Sequence, residues 1–147
     1  LVFRGMDRSK VTDLTRYLSS TMTAKKLISM PKVAKRMAGY RQHMEDQFTE
    51  LDIDVILSPT LAHPAIKLGE MGMDLPGRVV FERMQEWAIF TPVANASGGP
   101  ALTLPMGHDE VNNLPVGMLF WARHGQDRLL LELAYELEAA APWRTIF

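Results

Sequence analysis

The sequence predicts an α/β fold. Three observations carry that reading. Apolar residues recur near a 3.6-residue period through most of the first 51 positions, short β-branched and apolar runs follow, and a strongly amphipathic stretch closes the chain. The composition agrees. Of 147 residues, 47% are hydrophobic and 22% charged, an ordinary globular balance with enough chain for one core. Sixteen basic and 17 acidic side chains give a net charge of -1, so the chain as a whole has no pull toward nucleic acid. There is no cysteine, which excludes disulfides, thiolate metal sites and cysteine nucleophiles. That absence fits a reducing compartment, and a cytoplasmic location is expected. No apolar run approaches the roughly 18 residues a membrane helix requires.

Leu14, Tyr17, Leu18, Thr21, Met22 and Ile28 set the first helical period. Pro31 follows Met30 and is expected to break it, because proline is tolerated only in a helix's first turn. A second helix is then expected from about Lys32 to Leu51. Its Met37, Tyr40, Met44, Phe48 and Leu51 step by 3 and 4 and share a face. This stripe reads as core packing rather than a binding groove. Residues 53–58, apolar and β-branched, predict a strand covered on both faces and stopped at Pro59. The segment 60–78, with Pro64, Gly69, Gly72, Pro76 and Gly77, is a long irregular loop of the kind that is usually functional or mobile. Val80, Met84, Trp87 and Ala88 allow a helix over 79–90.

Residues 101–104 and 116–121 are two further strands, joined antiparallel through a polar loop whose tip is Asn112-Asn113. Leu129, Leu130, Leu133, Ala134 and Leu137 form the stripe of a final helix, with Asp127 as its N-cap and Pro142 beyond its end. Three strands so apolar make a narrow sheet with bare edges, which implies that covering elements lie outside this sequence. The chain begins at Leu1 without an initiator methionine, and it is expected to be part of something longer.

No complete catalytic constellation is visible. The histidines are His43, His63, His108 and His124, and none forms an H-E-x-x-H pair. His108, beside Asp109 and Glu110, reads as solvated. Ser58 and Ser97 lie in no G-x-S-x-G elbow. Ser97-Gly98-Gly99 is either a nest of amides for an anion or a tight turn entering a strand, and the turn is preferred. Phosphate-binding glycine motifs are missing. Lys25, Lys26, Lys32, Lys35 and Arg36 read as a solvated helix face rather than a nucleic-acid patch.

Two segments carry more. Residues 54–60 read Asp-Val-Ile-Leu-Ser-Pro-Thr. Residues 90–107 contain Phe90-Thr91, then Asn95, Gly98 and Pro100-Ala101, leading into a strand, and Leu114-Pro115-Val116-Gly117 follows. Their order, together with the last helix, resembles the C-terminal part of amidase signature enzymes over roughly residues 30–143. The resemblance implies an α/β/α domain with a mixed sheet, of which this chain supplies three or so strands and four or so helices. The whole of 1–147 would then be the C-terminal part of one domain, helical over 1–51 and α/β with pocket-lining loops over 52–147. It also implies carboxamide hydrolysis by a Ser–Ser–Lys triad. That triad lies on a Gly/Ser-rich segment this sequence does not have, and no lysine here occupies the matching context. The catalytic set carried over is therefore empty, with no metal and no cofactor.

The resemblance places Thr60, Phe90, Thr91, Asn95 and Trp121 near a substrate pocket, and the 60–78 loop at its entrance. Competing readings make Phe90 and Trp121 core, and give Asn95 a local backbone hydrogen bond. The chain is expected to be inactive alone, completed by the N-terminal part of the same protein or by a second copy. One rival is a self-contained interaction domain that retains this half of the fold. Another is a small hydrolase pairing Ser97 or Ser58 with His108.

Overall fold

A computed structural model of the chain describes residues 10–21, 24–72 and 74–144. The part of the expected helical region at 1–9, and Met22, lie outside the described residues. Helices α1 (Asp13–Ser20), α2 (Ala24–Glu50), α3 (Gly77–Trp87), α4 (Thr91–Ser97) and α5 (Asp127–Ala140) surround strands β1 (Val55–Pro59), β2 (Ala101–Asp109) and β3 (Leu114–Ala122). The sheet order is β1-β3-β2, and both pairings are antiparallel.

β3 is the hinge of the architecture. Its alternate side chains enter two separate cores, as the two-residue period of a strand requires. Leu119 and Trp121 join Phe48 of α2 and Ala94 of α4 on one face. Phe120 and Ala122 join Leu104 of β2 and Leu130 of α5 on the other. The result is three layers, α/β/α, with α2 and α4 on one side of the sheet and α5 on the other. β1 follows the same alternation, with Val55 toward the α5 core and Ile56 toward the α2 core. Its coverage is less complete than the sequence implies, because α5 lies over β2 and β3 and leaves Leu57 56% exposed.

The helical region divides differently from its periodicity. α1 starts on Thr12, whose hydroxyl accepts the Thr15 amide at 3.3 Å, and ends where Ser19, Ser20 and Thr21 donate their hydroxyls to carbonyls three residues back. The expected break at Pro31 does not occur, and α2 runs through it for 27 residues. Every residue from Ser29 to Gly39 is exposed, so the turn in which Pro31 lacks its N–H is open to solvent. The Met-rich stripe is accordingly split. Met44 and Phe48 pack in the core and Phe48 is 1% exposed, whereas Met37 is 54% exposed and Leu51 also faces solvent.

The end of α2 is fixed to the sheet. Asp52 takes φ 51°, a conformation short acidic side chains tolerate, and turns the chain into β1. The Arg123 guanidinium lies 5.7 Å from the Phe48 ring centroid and donates to the Ile53 carbonyl at 3.3 Å. Glu45 accepts the His124 amide at 3.0 Å.

The remaining boundaries shift modestly. The expected helix over 79–90 is α3, which starts at Gly77 and ends at Trp87, and a short helix the sequence did not indicate, α4, follows from Thr91. α3 is held against α1, where the Asp13 carboxylate accepts the Gly77 amide at 2.6 Å and Tyr17 meets Phe81 at 5.8 Å. β2 continues past Leu104 to Asp109. The ladder slips between Leu104 and Gly107, which bypasses Pro105 and its missing N–H, and resumes at Gly107 opposite Val116. Asp127 is the first helical residue of α5, and the cap position falls to Gln126.

Candidate functional site

The segment from α4 into β2 is a helix C-cap followed by a tight approach to β3. Gly98 closes α4 in the left-handed region at φ 73°, its amide donating to the Ala94 carbonyl at 2.9 Å. The Ser97 hydroxyl is buried, donates to Ala94 at 3.0 Å and accepts the Gly99 amide at 3.3 Å. Both amides of the glycine pair therefore have partners within the turn, which is the turn reading of this motif. A Cβ on Gly99 would stand 2.4 Å from the Ala122 carbonyl oxygen, so only glycine lets the chain pass β3 here.

The five residues singled out from the sequence fall into two groups. Thr60 stands half-buried just past β1. Its amide donates to the Gly117 carbonyl at 3.0 Å, and its hydroxyl is 3.3 Å from that of Thr103 on β2. Gly117 lies between them on β3, where a Cβ would come within 2.8 Å of both side chains. Trp121 is buried, edge-on to Phe48 with ring centroids 5.3 Å apart, and Phe90 packs against the same cluster. Thr91 opens α4 half-buried, and Asn95 is exposed on that helix with no hydrogen bond to the described residues. Thr60 thus meets Thr103 across the sheet, while Phe90 and Trp121 meet in the core beneath α4. The contact of Thr60 with Thr103 and Gly117 carried no sequence signal, because it depends on strand pairing that brings Thr60 and Thr103 together across 43 positions.

The 60–78 loop is tied to α3 at two points. The Ala62 amide donates to the Trp87 carbonyl at 3.0 Å, and the Arg83 guanidinium donates to the Glu70 carbonyl. Between loop and helix lies an open cleft of about 390 Å³, walled by His63, Ile66, Glu70 and Met71 on one side and Arg83, Glu86 and Trp87 on the other. Its walls directly follow Thr60 and directly precede Phe90 and Thr91 in the chain. A second hollow, of about 340 Å³, lies between the far end of the β2–β3 hairpin and the residues after α5. His108 lines it, and neither hollow is lined by Thr60, Phe90, Thr91, Asn95 or Trp121.

The groups a small hydrolase would need are occupied elsewhere. The Ser58 hydroxyl donates to the Pro59 carbonyl at 3.1 Å, and Ser97 is committed as described. His108 bonds Asn113 at 3.1 Å in the hairpin turn, where Asn113 takes φ 54°. Asp109 accepts the amides of Val111 and Asn112 and the side-chain amide of Asn112. The Asn112 side chain, foremost, holds the Asp109 carboxyl below its ordinary pKa. Among the described residues no helix is long and apolar enough to cross a membrane.

The family model for amidases matches residues 6–131. The chain belongs to the amidase signature family. The chain is 36% identical over 140 residues to a putative amidase, AmiC, of Mycobacterium leprae, covering 95% of this chain and 29% of that protein. It is 34% identical over 128 residues to an acylamidase of Rhodococcus erythropolis, covering 80% of this chain and 26% of that one. Its fold matches a solved 6-aminohexanoate cyclic dimer hydrolase at a TM-score of 0.73 and 23% identity, over 94% of this chain and 29% of that structure. The chain thus spans under a third of the length of each of these relatives.

Proposed function

We propose that this chain is the C-terminal part of an amidohydrolase that cleaves carboxamide C–N bonds by a Ser–Ser–Lys mechanism. In that reaction a serine hydroxyl attacks the amide carbon, and a neutral lysine moves the proton through a second serine. Preset backbone N–H groups hold the oxyanion as charge develops. All of those groups lie outside these 147 residues. The chain's own part is to complete the sheet and to wall the substrate pocket with Thr60, Phe90, Thr91, Asn95 and Trp121. Thr60 and Thr103 would offer paired hydroxyls to the polar end of an amide, and Phe90 and Trp121 would set the stiffness of the wall behind α4.

The observation that carries this reading is membership of the amidase family by a chain whose Ser58, Ser97 and His108 are all bonded away from one another. The bare flank of α2 and the exposed Leu57 support a partner that covers them, either the N-terminal part of the same protein or a second copy.

The test is an amide-hydrolysis assay. The chain alone should release no ammonia from a panel of aliphatic and aromatic carboxamides. The longer protein containing it should do so, and should lose activity on Thr60→Val. Turnover by the chain alone, abolished by a substitution within it, overturns the reading.

A further inference from the structure

We propose that the cleft between the 60–78 loop and α3 is a subsite for an uncharged group with an apolar body and a carbonyl oxygen, which accepts a hydrogen bond from the Trp87 indole. Two buried side-chain polar atoms among the described residues have no hydrogen-bond partner, Trp87 Nε1 and Arg123 Nε. They differ in kind. Arg123 donates from its other two guanidinium nitrogens, to the Thr49 hydroxyl and the Ile53 carbonyl, and it lines neither hollow. Nε1 is the sole polar atom of the Trp87 side chain, and Trp87 lines the cleft of about 390 Å³. An indole N–H withdrawn from water without an acceptor forfeits its hydrogen bond, whereas a buried tryptophan ordinarily keeps one.

The lining is graded by exposure. Ile66, Met71 and Trp87 are half-buried and supply an apolar floor. His63, Glu70, Arg83 and Glu86 are exposed at the rim, where they keep their water and carry both signs. The rim therefore sets no preference for a charged ligand. The floor holds an apolar body, and its buried donor lacks an acceptor oxygen. An ammonium has no acceptor to offer Nε1. A carboxylate would give up the hydration of a full charge for one neutral donor. A carbonyl loses far less on leaving water, so it is the class that gains. Nε1 lies beneath the cleft surface, and the acceptor reaches it as the loop wall moves outward. That wall is hydrogen-bonded to α3 at Ala62 and at Glu70, and among the described residues no hydrogen bond joins residues 63–69 to α3.

In the chain the cleft walls adjoin Thr60 on one side and Phe90–Thr91 on the other. In an amidase, the group held here would be an uncharged, carbonyl-bearing part of the substrate away from the bond that is cut. Only that placement rests on the amidase reading. The binding itself stands or falls independently.

The experiment titrates the longer protein, isotope-labelled at its indole nitrogens, with cyclohexanone, cyclohexylammonium and cyclohexanecarboxylate. The Trp87 resonance is the one lost in Trp87→Phe. Cyclohexanone should move the Trp87 indole proton downfield, the direction of a hydrogen bond gained. The shift should saturate with a dissociation constant on the order of 1–10 mM, as expected for so small a ligand in an open cleft. Both ions should bind at least about threefold more weakly, and the ammonium should give no downfield shift. Trp87→Phe keeps a ring and removes the donor, and should weaken cyclohexanone about fivefold by saturation transfer to the ligand. Should that variant unfold, Ile66→Ala takes its place. It thins the floor, and should weaken cyclohexanone while leaving the shift downfield. A Trp87 proton already downfield in the ligand-free protein, and unmoved by cyclohexanone, means that another part of the protein supplies the acceptor and overturns the proposal. Equal binding of the ketone and the ammonium overturns it too. These outcomes are separate from hydrolysis. Absence of turnover in the longer protein leaves the carbonyl site intact, and absence of ketone binding leaves the amidase reading intact.

Discussion

At the scale of single residues, backbone geometry decides more than side-chain identity. Gly99 passes so close to β3 that Gly99→Ala must push the Ala122 carbonyl aside. The expected cost is about 1–3 kcal/mol, the usual range for forcing atoms into a packed site, read as a lower urea midpoint at unchanged slope. Asp109 makes a different kind of prediction. Its carboxyl titrates below the ordinary value because the hairpin turn donates to the charged form. Its contribution is therefore complete above the unfolded-state pKa and is lost as pH falls through the lower, folded one. Carboxyl-carbon NMR should place its midpoint below that of a free aspartate, and Asn112→Ala should move it back up. Much of this scale was legible in the sequence. Asn112-Asn113 mark the hairpin tip, and Ser97-Gly98-Gly99 mark a turn. The Thr60–Thr103 contact was not legible, since it exists only once β1 and β2 have both paired with β3.

At the scale of elements, the sequence shows type and order well and boundaries poorly. Both hairpin strands, the strand before Pro59 and α5 are visible as patterns because their apolar residues are committed to a core, on both faces for β1 and β3 and on one stripe for α5. The errors lie where packing gives no instruction. Pro31 breaks a helix only when the lost hydrogen bond cannot be replaced, and in the exposed half of α2 it can. α4 escaped notice because seven residues carry too little periodicity to separate from the helix before them. The two halves of α2 should therefore respond differently to mutation. Phe48→Ala removes a buried ring that packs on Trp121, and should cost about 3–5 kcal/mol. Pro31→Ala should raise helical ellipticity at 222 nm while changing global stability by no more than about 0.5 kcal/mol, because that half frays without opening the core.

At the scale of the whole molecule, the apolar stripe of α2 connects the sheet core to a surface that none of the described residues covers. Met30, Val33 and Met37 continue the face that Met44 and Phe48 bury, yet all three are exposed, and Ile28 on the opposite face is 82% exposed. Lys32, Lys35 and Arg36 line the same turns, and the sequence from Ala24 to Met44 holds no acidic residue. A surface this apolar stays dispersed in water only when something covers it or when its charge repels a second copy. The two causes separate experimentally. If the remainder of an amidase domain covers the stripe, Met37→Lys should be nearly neutral for the stability of this chain and should reduce its self-association in sedimentation velocity. The same substitution should destabilise the longer protein by about 2 kcal/mol or more, since it would bury an unpaired charge. If the helix is instead a free face kept apart from a second copy by its charge, Met37→Lys should be neutral for the stability of both, and raising the salt should increase association of the chain. The sign of the difference between the two proteins thus reads out whether this flank of α2 is surface or interior in the complete fold.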